Sequence, residues 1–169
     1  MFSVTLTLNS DGQNGITRVQ RLTTAALTMP SFTIRNMRVT FQASAAEQRT
    51  ITDAYIGHQA GAGDVYDFAA TPVQLLFAGS TSKTIAASTS EVSDWASFNY
   101  DKTSTLLVAF YTGGGASADA PKYQTVVANA NEYTKTANDA ATVNKTGYSL
   151  FDEIVAVMSC RLLHQQPHA

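Results

Sequence analysis

The sequence predicts an all-β protein, most simply a jelly-roll-like antiparallel β-sandwich. Three observations lead to this prediction: apolar residues recur mainly at every second position, turn residues separate these short runs, and no stretch has a convincing helical period. Many short strands with turns between them are typical of a sandwich or a barrel. The length of 169 residues fits one domain over 1–169, with enough chain to bury a core without disulfides.

The individual strands follow from the alternating runs. Residues 2–8 alternate apolar and hydroxyl side chains, and the turn-rich segment 9–15 follows them. The continuous apolar run 106–111 predicts a central strand that is buried on both faces. The segment 129–145 has no clear period, which indicates a long loop or a short helix. Further strands are predicted at 16–22, 34–42, 50–57, 73–77, 83–86, 91–100, 123–128 and 148–163.

A core between two facing sheets is predicted from the inward positions of these strands, since inward side chains alternate with outward ones. The single cysteine, Cys160, lies in an apolar run and is expected to be a small core residue, with an intermolecular bridge or a free thiol as the alternative. The predicted core consists of Val39, Phe41, Ile56, Leu75, Phe77, Trp95, Phe98, Leu106, Val108 and Phe110.

Charge and hydropathy argue against two classes of partner. Charged residues make up 14% of the chain, the net charge is −2 and the basic residues are scattered, so we expect no nucleic-acid partner. Arg35 and Arg38 lie close together and are interpreted as solvent-facing strand residues. No apolar run is long enough for a membrane span, and residues 1–8 do not have the pattern of a signal peptide. The chain is therefore expected to be made in a cytoplasm.

No catalytic, cofactor or metal site is predicted. The sequence has no G-x-S-x-G nucleophile motif, and the spacing of His58 from Asp53 or Asp64 does not favour a Ser–His–Asp triad. No His or Cys pair has zinc-ligand spacing. Asp64 and Asp67 follow a Gly-rich loop, where calcium ligation is the alternative to two solvated carboxylates.

Aromatic side chains are the only credible binding residues in the sequence. Sandwich proteins that bind sugars use exposed Trp and Tyr side chains as flat platforms with a polar edge. Tyr123 and Tyr133 lie in polar surroundings and are candidate ligand-binding residues. Trp95 is the third candidate, although its apolar neighbours Val92 and Phe98 favour a place in the core.

An ordered set of blocks within 34–114 resembles a known module. The blocks read ITDAYIGHQA at 51–60, PVQLLFAG at 72–79, VSDW at 92–95 and LLVAFY at 106–111. This order is similar to the accessory β-sandwich of some GDSL/SGNH-type hydrolases and to β modules of bacteriophage tail and virion proteins. The chain adds an N-terminal strand or hairpin extension at 1–29 and a C-terminal strand at 148–163. In the hydrolases the module does not perform the chemistry, so the resemblance implies no catalytic residue.

The resemblance and the composition together predict a non-catalytic structural protein of a bacteriophage virion. A tail fibre, baseplate, collar or head-decoration component would act as a homo-oligomer with other virion proteins, and a host-surface glycan is a further expected partner. One or both of the terminal strands 2–8 and 148–163 are expected to contact neighbouring subunits by strand addition, and the alternative for the N-terminal strand is that it completes its own sheet. A carbohydrate-binding module is the alternative, and a remote esterase is the third reading.

Overall fold

A computed structural model describes residues 15–23, 34–43, 48–101, 103–113 and 130–150 of the chain. These residues form an all-β fold in which every strand pairing is antiparallel, as the sequence predicts. No described residue lies in a helix, so the described part holds no helix long and apolar enough to cross a membrane. The strands are β1 (Ile16–Leu22), β2 (Ile34–Met37), β3 (Thr40–Gln42), β4 (Arg49–His58), β5 (Val73–Gln74), β6 (Lys83–Ile85), β7 (Ser90–Val92), β8 (Ala96–Tyr100), β9 (Leu106–Thr112), β10 (Ala130–Lys135) and β11 (Ser149–Leu150).

One large sheet forms the first layer of the fold. Its seven strands run in the order β11-β10-β1-β9-β4-β5, and β6 also pairs with β4. The apolar strand β9 lies between β1 and β4, where Val108 and Phe110 face one side of the sheet and Leu107 and Ala109 the other. Burial on both faces explains why its sequence is continuously apolar instead of alternating. The predicted central strand is therefore confirmed.

A long two-stranded pairing forms the second layer, and we call it the ribbon. It consists of β2 and β3 on one side and of β8 and β7 on the other, as the pairs β2–β8 and β3–β7. Between the two pairs the chain has two residues on one side, Arg38 and Val39, and three on the other, 93–95. The unequal count is that of a β-bulge. The predicted single strand 34–42 is wrong in this respect, since it is interrupted at the bulge.

A serine side chain joins the two sides of the ribbon at this break. The Ser93 backbone N–H donates to the carbonyl of Val39 at 2.9 Å, and the Val39 N–H donates to the hydroxyl oxygen of Ser93 at 3.0 Å. The hydroxyl takes the place of a backbone carbonyl that the bulge has moved out of register. Because both backbone donors are satisfied, the break keeps its shape without a regular ladder.

The main core lies between the large sheet and the ribbon. Phe110 of β9 packs against Phe41 of the ribbon with ring centroids 5.5 Å apart in an edge-to-face arrangement, and Phe77 contacts Phe41 at 5.7 Å. Such pairs add to the burial of apolar area. The core prediction is confirmed for Val39, Phe41, Ile56, Leu75, Phe77, Phe98, Leu106, Val108 and Phe110, whereas Trp95 lies outside the buried cluster.

The opposite face of the large sheet is covered by loops. Phe68, from the loop after β4, is 1% exposed and belongs to a second buried cluster with Val19, Leu107 and Ala109. A Cβ atom on Gly57 would lie 2.7 Å from the ring of Phe68, so this loop packs directly on the glycine backbone. The large sheet is thus buried on both faces.

The segment 129–145 differs from its prediction. It contains strand β10, which pairs with β1 over six residues, and a loop that folds back over the sheet. Its polar composition conceals the strand because one face carries the buried Glu132 instead of an apolar residue. Of the predicted strand 148–163, only β11 falls within the described residues. Residues 2–8, 123–128 and Cys160 lie outside them.

Candidate functional site

A contact between an arginine and a tryptophan lies at the break in the ribbon. Trp95 is only partly buried, and the guanidinium carbon of Arg38 lies 4.7 Å from the centre of its ring. A guanidinium at this distance from an indole face makes a favourable cation–π contact. The expectation that Trp95 belongs to the core is therefore wrong. The bulge supplies the physical reason, because the extra residue changes the alternation between Val92 and Ala96.

Two polar atoms beside this pair are buried without a hydrogen-bond partner. They are Nε of Arg38 and the hydroxyl oxygen of Thr40, and Thr40 as a whole residue is 9% exposed. Val39 and Phe41 point into the core, so alternation along the chain places Arg38 and Thr40 on the outer side of the ribbon. Buried polar atoms normally have a partner, and an exception requires an explanation. The outer side of the ribbon therefore has hydrogen-bonding capacity that the described residues leave unused.

The predicted candidate Tyr133 lies on the other side of the molecule. It projects from β10 toward the loops that cover the large sheet, where its ring is 5.2 Å from that of Tyr66. The ring of Tyr66 is in turn 4.9 Å from that of Tyr148. All three rings are partly buried and belong to the second cluster. They form a packed group of tyrosines, so Tyr133 is not a separate exposed platform. Tyr123 lies outside the described residues.

A buried lysine lies next to these tyrosines. Lys145 is 1% exposed, and its ammonium nitrogen lies 3.9 Å from the centre of the Phe68 ring and donates to the carbonyl of Thr142. Burial lowers the pKa of Lys145 to about 8, and the nearby carboxylates of Asp139 and Asp67 oppose this shift. The lysine joins the two loops that cover the sheet, and its burial keeps it away from an external substrate.

Asp67 uses its carboxylate to hold the same loops together. One oxygen accepts the backbone N–H of Asp64 at 2.8 Å, and the other accepts the backbone N–H of Lys145 at 2.6 Å. With both oxygens engaged by backbone donors, Asp67 is a loop-closing residue and not an open ligand. Among the described ranges no three His, Cys, Asp or Glu side chains converge as a metal site would require.

His58 closes the end of β4 against the ribbon. Its Nε2 accepts the backbone N–H of Asp101 at 2.9 Å, and its ring lies 4.8 Å from Phe98 and 5.6 Å from Tyr100. Burial lowers the pKa of His58, and the carboxylate of Asp101 raises it by a smaller amount. Asp53, one of the aspartates weighed for a triad, instead accepts a hydrogen bond from the amide of Asn138 at 2.8 Å. The imidazole is therefore a neutral acceptor in a structural contact.

A buried ion pair crosses from β1 to β10 on the core side of the sheet. Arg18 and Gln20 both donate to the carboxylate of Glu132, and all three side chains are buried. Burial raises the pKa of Glu132, and the adjacent guanidinium opposes that rise. Because the partners are more than a hundred residues apart in sequence, no local pattern could have revealed this group.

The sequence alone did not predict that Arg38 contacts the aromatic candidate Trp95. It assigned Arg38 to the solvent, whereas the structure places it against Trp95. In the sequence RNMRV at 35–39, Arg38 lies between the inward residues Met37 and Val39, so alternation predicts its outward position and not its aromatic neighbour. No protein-family model matches this chain, and a search of curated proteins finds no similar sequence. Its function must therefore be inferred from its own residues.

Proposed function

We propose that this chain is a non-catalytic structural protein of a bacteriophage virion that acts by assembling with copies of itself and with other virion proteins. The observation that carries the proposal is the structural use of the polar side chains best suited to catalysis. His58 accepts a backbone N–H, and both oxygens of Asp67 do the same. A catalytic group instead needs a free atom within reach of a substrate.

The same use of carboxylates extends to the exposed loops. Asp94 accepts the backbone N–H groups of Ala78 and Gly79 at 3.1 and 2.7 Å. Asp101 accepts from the backbone and hydroxyl of Thr103. Side chains that fix loop shape fit a building block that must present the same surface in every copy. The low charge content and the resemblance of 34–114 to virion modules support the same class.

Light scattering and genome context together test the assembly proposal. We expect the purified chain to form a closed homo-oligomer and its gene to lie among capsid, tail or lysis reading frames. A stable monomer at high concentration, encoded among metabolic genes, would contradict the proposal. Hydrolysis of an ester panel above the buffer rate would support the esterase reading instead.

Carbohydrate binding is the second candidate function, and the partly exposed Trp95 favours it. An aromatic ring at the surface offers a flat apolar face to the C–H groups of a sugar. The two functions are compatible, because a virion protein that contacts a host polysaccharide would have both.

A further inference from the structure

The outer side of the ribbon at its break has the composition of a small binding site. We call it the ribbon-break face and define it by the partly or fully exposed side chains Arg38, Val92 and Trp95. We infer that this face binds a saccharide that carries a carboxylate, such as a uronic or sialic acid. The inference deepens the second candidate function and does not depend on assembly.

Arg38 supplies the argument for a carboxylate. Its guanidinium carbon lies 4.7 Å from the centre of the Trp95 ring, and its side chain is partly exposed. A guanidinium binds a carboxylate through two parallel N–H donors. An arginine that already contacts an indole ring loses less side-chain entropy on binding than a free one. The group is therefore preorganised to receive an anion of this shape.

Trp95 and Val92 favour a sugar over a simple anion. The ring of Trp95 is partly exposed and offers an apolar face to the C–H groups of a pyranose. Val92 pairs with Thr40 across the ribbon and is 40% exposed, which adds apolar surface beside Trp95. Alternating hydroxyl and C–H surfaces are the chemistry of a pyranose ring. A simple anion such as phosphate would use the guanidinium and leave these side chains without a role.

The local charge also favours a negative ligand. Arg35 is exposed on the neighbouring strand β2 and adds a second positive charge. Asp94, which directly precedes Trp95 in the chain, has its two oxygens engaged by the backbone N–H groups of Ala78 and Gly79, so it does not pair directly with Arg38. An acidic saccharide would therefore meet a guanidinium that keeps its charge.

Tryptophan fluorescence can report binding at this face, because Trp95 is the only tryptophan in the sequence. The full chain is applied to an array of uronic-acid and sialic-acid oligosaccharides, each printed beside its carboxyl-methylated form. We expect retention on acidic glycans, loss of retention after methylation, and a fluorescence change when the retained glycan is titrated in solution. Retention that ignores methylation, or no retention by folded protein, would overturn the inference.

Matched variants separate this face from general charge attraction. Arg38→Gln should weaken binding at least about tenfold, since it removes a charged hydrogen-bond pair. Arg35→Gln removes the same charge from the neighbouring strand and should weaken binding less than about threefold, as expected for an exposed charge. Equal effects of the two variants would contradict a specific site at Arg38.

Two conservative variants keep the test valid if a larger change affects folding. Arg38→Lys retains the charge and loses the planar pair of donors, and it should also lower affinity about tenfold. Trp95→Phe retains an aromatic ring with less surface and should have an intermediate effect, which is measured by retention on the array because the variant has no tryptophan. Binding that is unchanged in both variants would overturn the inference even though each protein is folded. Light scattering on the same samples reports assembly, so failure of glycan binding and failure of the assembly proposal give different results.

Discussion

The large sheet and the ribbon both bury apolar side chains, but they differ in how much of their surface is covered. The sheet buries both faces, one against the ribbon and one under its own loops, and its central strand β9 has a paired neighbour on each side. The ribbon packs one face against the large sheet, has partly exposed side chains such as Trp95 and Val92 among the described residues of its other face, and is interrupted by a bulge. The difference implies that the sheet provides most of the stability, whereas the outer side of the ribbon can carry polar and aromatic groups that the core does not use.

The largest expected effect comes from the contact that joins the two layers. Phe110→Ala removes a fully buried ring that packs edge-on against Phe41, and it should lower the free energy of unfolding by about 4 kcal/mol. Denaturant melts measure this loss. Val92→Ala, on the outer side of the ribbon, is the control and should change stability by less than about 0.5 kcal/mol. A loss under about 1 kcal/mol for Phe110→Ala would mean that the layers do not depend on this contact.

A buried ion pair within the sheet can be compared with an exposed one beside the ribbon. Glu132→Gln removes the charged member of a buried ion pair that contacts both Arg18 and Gln20, and it should cost about 3 kcal/mol, because breaking a buried ion pair from one side is strongly destabilising. Glu91→Gln breaks the exposed pair with Lys83, whose atoms are 3.3 Å apart, and should cost less than about 0.5 kcal/mol. Chemical unfolding of both variants at neutral pH measures the contrast. Similar losses would show that Glu132 does not act as a buried charge.

The sequence predicted the apolar strands of the large sheet better than its polar strand β10, for a physical reason. Strands β1, β4 and β9 contain apolar residues in a pattern that predicts a strand without reference to distant parts of the chain. Their predicted bounds agree with the observed ones to within about two residues. Strand β10 was missed because its buried Glu132 is stabilised by β1, a distant part of the chain. Apolar periodicity reports burial against apolar surface and not burial against a charged partner.

The candidate site was predicted only in part. Trp95 was identified as a possible platform, but its apolar neighbours favoured the core, and a one-residue bulge reverses that assignment. The bulge depends on Ser93 bonding across the ribbon to Val39, a pairing that no local rule anticipates. The proposed role of Arg38 also depends on the bulge, because it requires the contact between Arg38 and Trp95. Local patterns thus identified the residue type and not its neighbours.

A smaller effect is expected where β4 meets the end of the ribbon, at His58. The folded protein binds a proton at this imidazole less readily than the unfolded chain, whose histidine titrates near pH 6.5. Above that pH both forms are neutral. As the pH falls below it, the unfolded chain takes up the proton first, so the free energy of unfolding should decrease until the pH passes the lowered folded pKa. Urea melts between pH 7.5 and 5 measure the slope.

The control for this prediction is His58→Gln. Its amide oxygen can accept the Asp101 N–H without titrating, so the variant should lose stability less steeply over the same range. Asp101, whose pKa is lowered by hydrogen bonds from Thr103, affects stability only at more acidic pH and is unchanged in the comparison. Identical slopes in the two proteins would show that folding does not lower the pKa of His58.

The smallest effect is expected in the turn at Ala78 and Gly79. Asp94, between strands β7 and β8 of the ribbon, accepts the backbone N–H groups of these two residues. Ala78 and Gly79 have φ values of +51° and +79°, and Phe77 and Ser80 exchange two backbone hydrogen bonds around them, as in a type I′ hairpin turn. Such a turn favours Asn at its first central position, because Ala is strained at positive φ. Ala78→Asn should raise the free energy of unfolding by about 0.5 kcal/mol, and Gly79→Ala should lower it by about 1 kcal/mol. The changes in thermal midpoint of the two variants should therefore have opposite signs. If Ala78→Asn destabilises the protein, the added side chain disturbs the hydrogen bonds to Asp94 by more than it relieves strain, and the turn is held by the ribbon instead of by its own backbone preference.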